Sequence, residues 1–143
     1  NFDSNIDDQD IKAYNLEAGW LITGENYADS YKSKSMGGKF DRIKPNSNFN
    51  PENGKGIGAW EVALGVSKFD ASDVTEASAG YDITAAMANE AKSWRAGLKW
   101  ILDPNTRMML SYVDTDFDVS GNTSTYTGIN DEQAINFRAQ FDF

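Results

Sequence analysis

The sequence predicts an all-β protein, an antiparallel sheet of the transmembrane β-barrel type. Three observations predict it. Apolar residues recur with period 2 and not 3.6, the mark of strands. Four of the alternating runs extend over about 11 residues, where soluble strands average about 5–6 and membrane strands need about 9–11. The face opposite each apolar row mixes Gly and Ala with Arg, Lys and Glu, as a wall lining water would.

Six strands follow in order. In 10–23, Tyr14, Leu16, Ala18, Trp20 and Ile22 oppose Ala13, Asn15, Glu17, Gly19 and Thr23. The strand 36–44 is short and basic, and stops at Pro45, which has no N–H for a ladder. In 57–69, Trp60, Val62, Leu64 and Val66 oppose Ala59, Glu61, Ala63, Gly65 and Ser67. The clearest run is 92–102, with Trp94, Ala96, Leu98, Trp100 and Leu102 against Ser93, Arg95, Gly97, Lys99 and Ile101. In 107–118, Met108, Leu110 and Tyr112 oppose Met109, Ser111 and Val113. The last, 132–143, sets Ile135, Phe137, Ala139, Phe141 and Phe143 against Ala134, Asn136, Arg138, Gln140 and Asp142.

The connections differ in kind. Asp103-Pro104-Asn105-Thr106 reads as a tight turn, with Pro setting φ and Asn tolerating a left-handed backbone. Segment 45–56 is a loop of intermediate length, rich in Pro, Asn and Gly. Segments 24–35, 70–91 and 119–131 are long and polar, and 85–92 has the composition for one or two helical turns.

Composition removes whole classes of chemistry. The chain has 143 residues, no Cys and no His, which excludes disulfides, thiolate sites, the common zinc sites and Ser-His-Asp catalysis. Thirteen Lys+Arg against 22 Asp+Glu give a net charge of -9, with no global field to draw nucleic acid. No apolar run approaches the roughly 20 residues of a membrane helix. A chain opening at Asn1 without a basic and apolar leader is expected to be a mature product or a fragment.

A soluble sandwich would also alternate, but its strands would be shorter. Aromatics should stand toward both ends of a membrane-facing row. Tyr14 and Trp20 flank Leu16 and Ala18, and Trp94 and Trp100 flank Ala96 and Leu98. The expected membrane-facing aromatics are therefore Tyr14, Trp20, Trp60, Trp94, Trp100, Phe137, Phe141 and Phe143, set against lipid or a neighbouring subunit.

The run KSWRAGLKWILDPNTRMMLSYVDTDFD (Lys92 to Asp118), followed by EQAINFRAQFDF to Phe143, resembles the C-terminal part of the phosphate-selective porin O and P family. WLITGE (Trp20 to Glu25), KFDRIKP (Lys39 to Pro45) and GAWEVALGVSKFD (Gly58 to Asp70) fall in the order that family shows. The resemblance implies a barrel of about 16 strands, in a homotrimer, in the bacterial outer membrane. It implies passive diffusion of small hydrophilic, anionic, phosphate-like solutes, with no enzymatic activity and no cofactor. The alternative is a barrel serving mainly as an anchor in an envelope assembly. Residues 1–143 would be the C-terminal part of one barrel domain. Six strands cannot close a barrel, since known ones begin at about eight. The remaining strands would come from the same or another chain. The family's topology puts 45–56 and 103–106 at the periplasm, and 24–35, 70–91 and 119–131 outside.

The expected lumen-facing, anion-binding cations are Arg42, Lys44, Arg95, Lys99, Arg107 and Arg138. Arginine suits oxyanions because its planar fork gives two parallel hydrogen bonds. Glu17, Glu61 and Asp142 share the inward face and are their expected counter-ions. Asp114, Asp116 and Asp118 alternate along one strand and form a weak candidate for calcium, since the glycine of a calcium loop is replaced by Val119. A solvated strand end is the alternative.

Overall fold

The computed structural model describes residues 10–32, 37–52, 54–72, 88–118 and 130–143. Five long strands form one sheet in the order β1 (Lys12–Leu21), β4 (Ala59–Asp70), β5 (Glu90–Asp103), β6 (Thr106–Asp118) and β7 (Asp131–Phe141). Two short strands, β2 (Tyr31–Lys32) and β3 (Lys39–Phe40), pair with each other elsewhere. Among the described residues the sheet is open, with β1 and β7 at its edges.

The register is antiparallel and keeps like faces together. Ser67 Oγ meets Ser93 Oγ at 2.7 Å, and Lys99 Nζ meets Glu61 at 2.7 Å, so β4 and β5 run in opposite directions. A tight turn at Pro104 joins β5 to β6, held by the Asn105 N–H donating to Asp103 Oδ1 at 2.7 Å. The Asp142 N–H donates to the Asn105 carbonyl at 2.9 Å, which fixes the end of β7 beside that turn.

The sequence predicts six strands; among the described residues the structure forms five long ones. Segment 36–44 supplies only the two residues of β3, which pair as Tyr31↔Phe40 and Lys32↔Lys39. Its chain reverses at Gly37 and Gly38, at φ 65° and 78°, and leaves no room for the about 9–11 residues a crossing needs. Because β1 pairs directly with β4, residues 22–58 are one connection that leaves and re-enters the sheet at one end. That is also the end of the 103–106 turn, so the described residues 24–32 stand at the same end of the sheet as 45–52, and not at the opposite end as expected. The described part of 85–92 is coil and strand: Ala88 and Asn89 precede β5, and residues 90–92 belong to it. Residues 85–87 lie outside the described set, as do most of the 70–91 and 119–131 connections.

The chain divides into two compact units, each taking part of the long strands. One comprises 1–16, 65–94 and 113–134, and the other 17–64, 95–112 and 135–143. In the first unit, Lys68 bridges Asp70 at 3.1 Å and Glu90 at 3.5 Å, while the Ala71 N–H donates to the Asn89 carbonyl. The second unit holds the 22–58 connection and the 103–106 turn.

Among the described residues no hydrophobic core collects the apolar faces. Among the described residues, only Leu21, Ala59 and Ile101 are buried apolar residues. Trp94 is 47% exposed, Leu98 38% and Phe141 60%, where a soluble sandwich would bury them between two sheets. No described helix is long and apolar enough to cross a membrane, which leaves crossing by strands untouched.

Candidate functional site

The face opposite the apolar rows carries paired charge. Arg95 on β5 reaches across β4 to Glu17 on β1, with Nη2 at 2.6 Å and Nε at 2.8 Å from Oε2. Lys99 bridges its cross-strand neighbour Glu61 at 2.7 Å. Glu61 is only 7% exposed, so its charge is held by this contact and not by bulk water. A cavity of about 230 Å³ lies over Glu17, Glu61, Arg95, Lys99, Met109 and Ser111. Two cations that the sequence places on this face are therefore neutralised where they stand, as the shared odd parity of Glu17, Glu61, Arg95 and Lys99 suggested.

The 22–58 connection lies against the same face. The Tyr27 hydroxyl bonds to the Glu61 carboxylate, and burial followed by that carboxylate raises the phenol's pKa, keeping it a donor. Tyr27 belongs to a short helical turn, 27–30, whose start is capped by Asn26 Oδ1 accepting from the Ala28 N–H at 2.9 Å. Arg42 lies 3.7 Å from Asp142 and donates from Nη1 to Asn105 Oδ1. The segment's root is fixed by Glu25. Burial raises this carboxyl's pKa, but bonds from the Thr23 hydroxyl and the Asn46 N–H outweigh that and hold it lowered.

The other expected cations fall in different settings. Lys44 is exposed on the 22–58 connection beside Pro45, not on a spanning strand. Arg138 is exposed on β7. Arg107 lines a second cavity of about 120 Å³ with Tyr27, Arg42, Lys99 and Asp142. Its Nε is buried and has no hydrogen-bond partner among the described residues. Asp142 has a lowered pKa, first through the Gln140 amide donating to Oδ1 at 3.0 Å and then through Arg42, Arg107 and Arg138. A carboxyl lowered on folding contributes stability above its unfolded value, which is lost as the pH falls through the folded one. Hydrogen exchange at the Asp41–Lys44 amides, corrected for intrinsic rate, should hold steady down to about pH 4 and accelerate below it.

The apolar face carries a feature that parity alone did not show. Trp60 and Trp100 stack across β4 and β5, with centroids 5.0 Å apart and planes 15° from parallel. Both indole N–H groups donate to the Ile57 carbonyl, at 3.1 Å and 2.7 Å, and Phe49 packs edge-on to Trp100 at 4.9 Å. Such clusters suit the interfacial zone, where one end of each ring is apolar and the other wet. Tyr14, Trp20, Trp94, Phe137 and Phe141 stand exposed on their strands' apolar faces, while Phe143 lies beyond the end of β7. The Asp114, Asp116 and Asp118 carboxylates do not converge: no group of three acids able to hold a metal occurs among the described residues, and Asp114 accepts from Gln133 at 3.2 Å.

An open antiparallel sheet with exposed aliphatic and aromatic side chains on one face, and paired charge on the other, is the wall of a β-barrel membrane protein. The family model of phosphate-selective porin O and P matches residues 2–143, and the chain belongs to that family of bacterial outer-membrane porins. No curated protein matches the chain.

Proposed function

We propose that the protein conducts small hydrophilic anions, phosphate-like ones among them, by passive diffusion through a lumen walled by the charged face. The observation that carries this reading is the charged face itself, with Arg95 and Lys99 on β5 and with Arg42, Lys99 and Arg107 lining one cavity alongside Asp41, Asp103 and Asp142. A pore selects by lumen width and by rings of charge, so it needs no bond chemistry and no cofactor. Residues 1–143 serve as one arc of a single barrel domain, closed by strands pairing with the free edges of β1 and β7. A homotrimer in outer-membrane lipid is the proposed assembly. With Phe143 at the periplasmic side, β1 descends and the 22–58 connection forms a periplasmic floor that narrows the lumen.

Planar-bilayer recording of the full-length protein tests this. Anion-selective steps are expected, and Arg95→Glu or Arg138→Glu should lower the anion-to-cation permeability ratio by about 5-fold, the scale of a 1 kcal/mol change in a partly screened charge. Unaltered selectivity in both variants would count against the charged face as the conducting wall. A second reading, a barrel that anchors an envelope assembly, is favoured by the Glu17–Arg95 and Glu61–Lys99 neutralisation and by the floor segment on that face. It requires no conductance steps.

A further inference from the structure

One cavity on the charged face is ringed by equal and opposite charge. It has a volume of about 230 Å³ and lies over Glu17, Glu61, Arg95 and Lys99, two carboxylates and two cations. An ion of one sign gains from two of these groups what it loses to the other two. The charges are ordered along the strands. Glu17 and Arg95 pair at one end of the cavity, and Glu61 and Lys99 pair at the other. The register that sets Lys99 beside Glu61 sets Gly97 beside Ala63, where a Cβ on Gly97 would lie 3.9 Å from the Ala63 Cβ. The floor between the two pairs is therefore low and apolar.

Each pair keeps capacity for a further contact. Arg95 directs Nε and Nη2 to the same oxygen of Glu17, Oε2, at 2.8 and 2.6 Å, and Oε1 takes neither. Lys99 Nζ carries three donors, one of them on Glu61 Oε2 at 2.7 Å. Arg95 and Lys99 stand four positions apart on β5, about 13 Å at about 3.3 Å per residue. Hydrogen bonds of about 2.8 Å at both ends leave about 7–8 Å between the charged groups of a bridging ligand. Two residues of extended peptide span about 7 Å. A free amino acid carries both charges on one carbon and reaches one pair only. The cavity also falls just below the range of about 300–1,000 Å³ typical of sites for drug-sized ligands, which suits a molecule of that length.

We propose that this cavity is a binding station for a small zwitterionic dipeptide, with the ammonium on Glu17 and the terminal carboxylate on Lys99. The proposal rests on the reading that the charged face walls a lumen, and adds a second class of solute to the anions. Glu17 Oε1 accepts from the ammonium while Arg95 holds the Glu17 carboxylate in place. Lys99 Nζ donates to the carboxylate while Glu61, itself held by the Tyr27 hydroxyl, fixes the lysine. The low floor at Ala63 and Gly97 admits the peptide unit with small side chains, and Met109 gives it an apolar flank. Each salt bridge satisfies its own members without the ligand, so the dipeptide gains only the remaining bonds. It is held weakly enough to leave, as transit through a pore requires.

Calorimetric titration of the folded, full-length protein in detergent tests this with glycylglycine, with glycine, and with N-acetylglycylglycine, which keeps the carboxylate but has no ammonium. Glycylglycine should bind about 10-fold more tightly than either of the others, the scale of one charge-assisted contact. Glu17→Gln should weaken glycylglycine about 10-fold and leave the acetylated probe no weaker, a split that a general loss of structure would not produce. Lys99→Gln should weaken both peptides about 10-fold. Ala63→Leu raises the floor without touching a charge and should weaken glycylglycine by a similar factor. It also serves where a charge variant does not reach the heat-modifiable folded form. Equal behaviour of the probes in the parent, or glycylglycine affinity unchanged in all the variants, overturns the dipeptide site even if the protein passes anions. The expected pattern in a protein without anion-selective steps supports the site and overturns the anion reading alone.

Discussion

Leu98→Arg lowers the stability of the folded protein in lipid by about 2–4 kcal/mol, the cost of placing a guanidinium on the lipid face near the bilayer midplane. Leu98 lies between Trp94 and Trp100 on the apolar face of β5, and is 38% exposed with no protein layer over it. An arginine there meets hydrocarbon unless it reaches the headgroups past Trp94 or Trp100, which mark the aromatic ends on either side of it. Ser111→Arg is the control. Ser111 lines the cavity over Glu17 and Glu61, so the new charge meets two carboxylates. It should change stability by less than about 1 kcal/mol. Urea titration of the heat-modifiable gel band reads both. Equal loss in the two variants would mean that the faces are not chemically distinct, and the membrane orientation of the sheet would fail with them.

Gly58→Ala should cost about 3 kcal/mol or more and loosen the aromatic cluster at the end of β4. Gly58 has φ 70°, in the left-handed region that costs an L-residue about 1–2 kcal/mol. A Cβ there would lie 2.4 Å from the Ile101 carbonyl oxygen and 2.9 Å from Trp100 Nε1. The carbonyl is backbone within the sheet and cannot yield, so the chain at Ile57 and Gly58 must move. The Ile57 carbonyl is the common acceptor of both indoles, and losing each bond adds about 1 kcal/mol. The expected result is a lower midpoint in urea, with a red-shifted tryptophan emission before global unfolding. A midpoint within about 0.5 kcal/mol of the parent would show that the loop relaxes freely around the new methyl group.

The five long strands were legible because each obeys a rule local to itself. Parity assigns Trp94, Leu98 and Trp100 to one side of β5 and Arg95 and Lys99 to the other without knowledge of any neighbour. The counter-ions were legible in kind, since Glu17 and Glu61 share the charged side. Which acid meets which cation depends on register, a property of two strands at once, and only the fold supplied it. The floor segment was misread for the same reason in stronger form. Phe40, Asp41, Arg42 and Ile43 look like a short basic strand by themselves. Their fate is decided by distant partners: Tyr27 by Glu61, Arg42 by Asn105 and Asp142, Phe49 by Trp100. Tyr27 and Gln140 carry no spacing or motif that would single them out, and Asn105 reads only as a turn residue. They matter because the chain returns to them across 30 residues or more, or, for Gln140, because it sits two positions from a carboxylate that three arginines surround.

The near-parallel indoles of Trp60 and Trp100 give the protein an optical label of its own. Two such chromophores at 5.0 Å couple their excited states, so their circular dichroism should split into a couplet that neither ring shows alone. Trp20 and Trp94, at 70% and 47% exposure on the apolar side, are open instead to quenchers carried in the acyl chains. Insertion of the wall and closure of its rim can thus be timed separately in one unlabelled sample, by quenching for the first and by the couplet for the second.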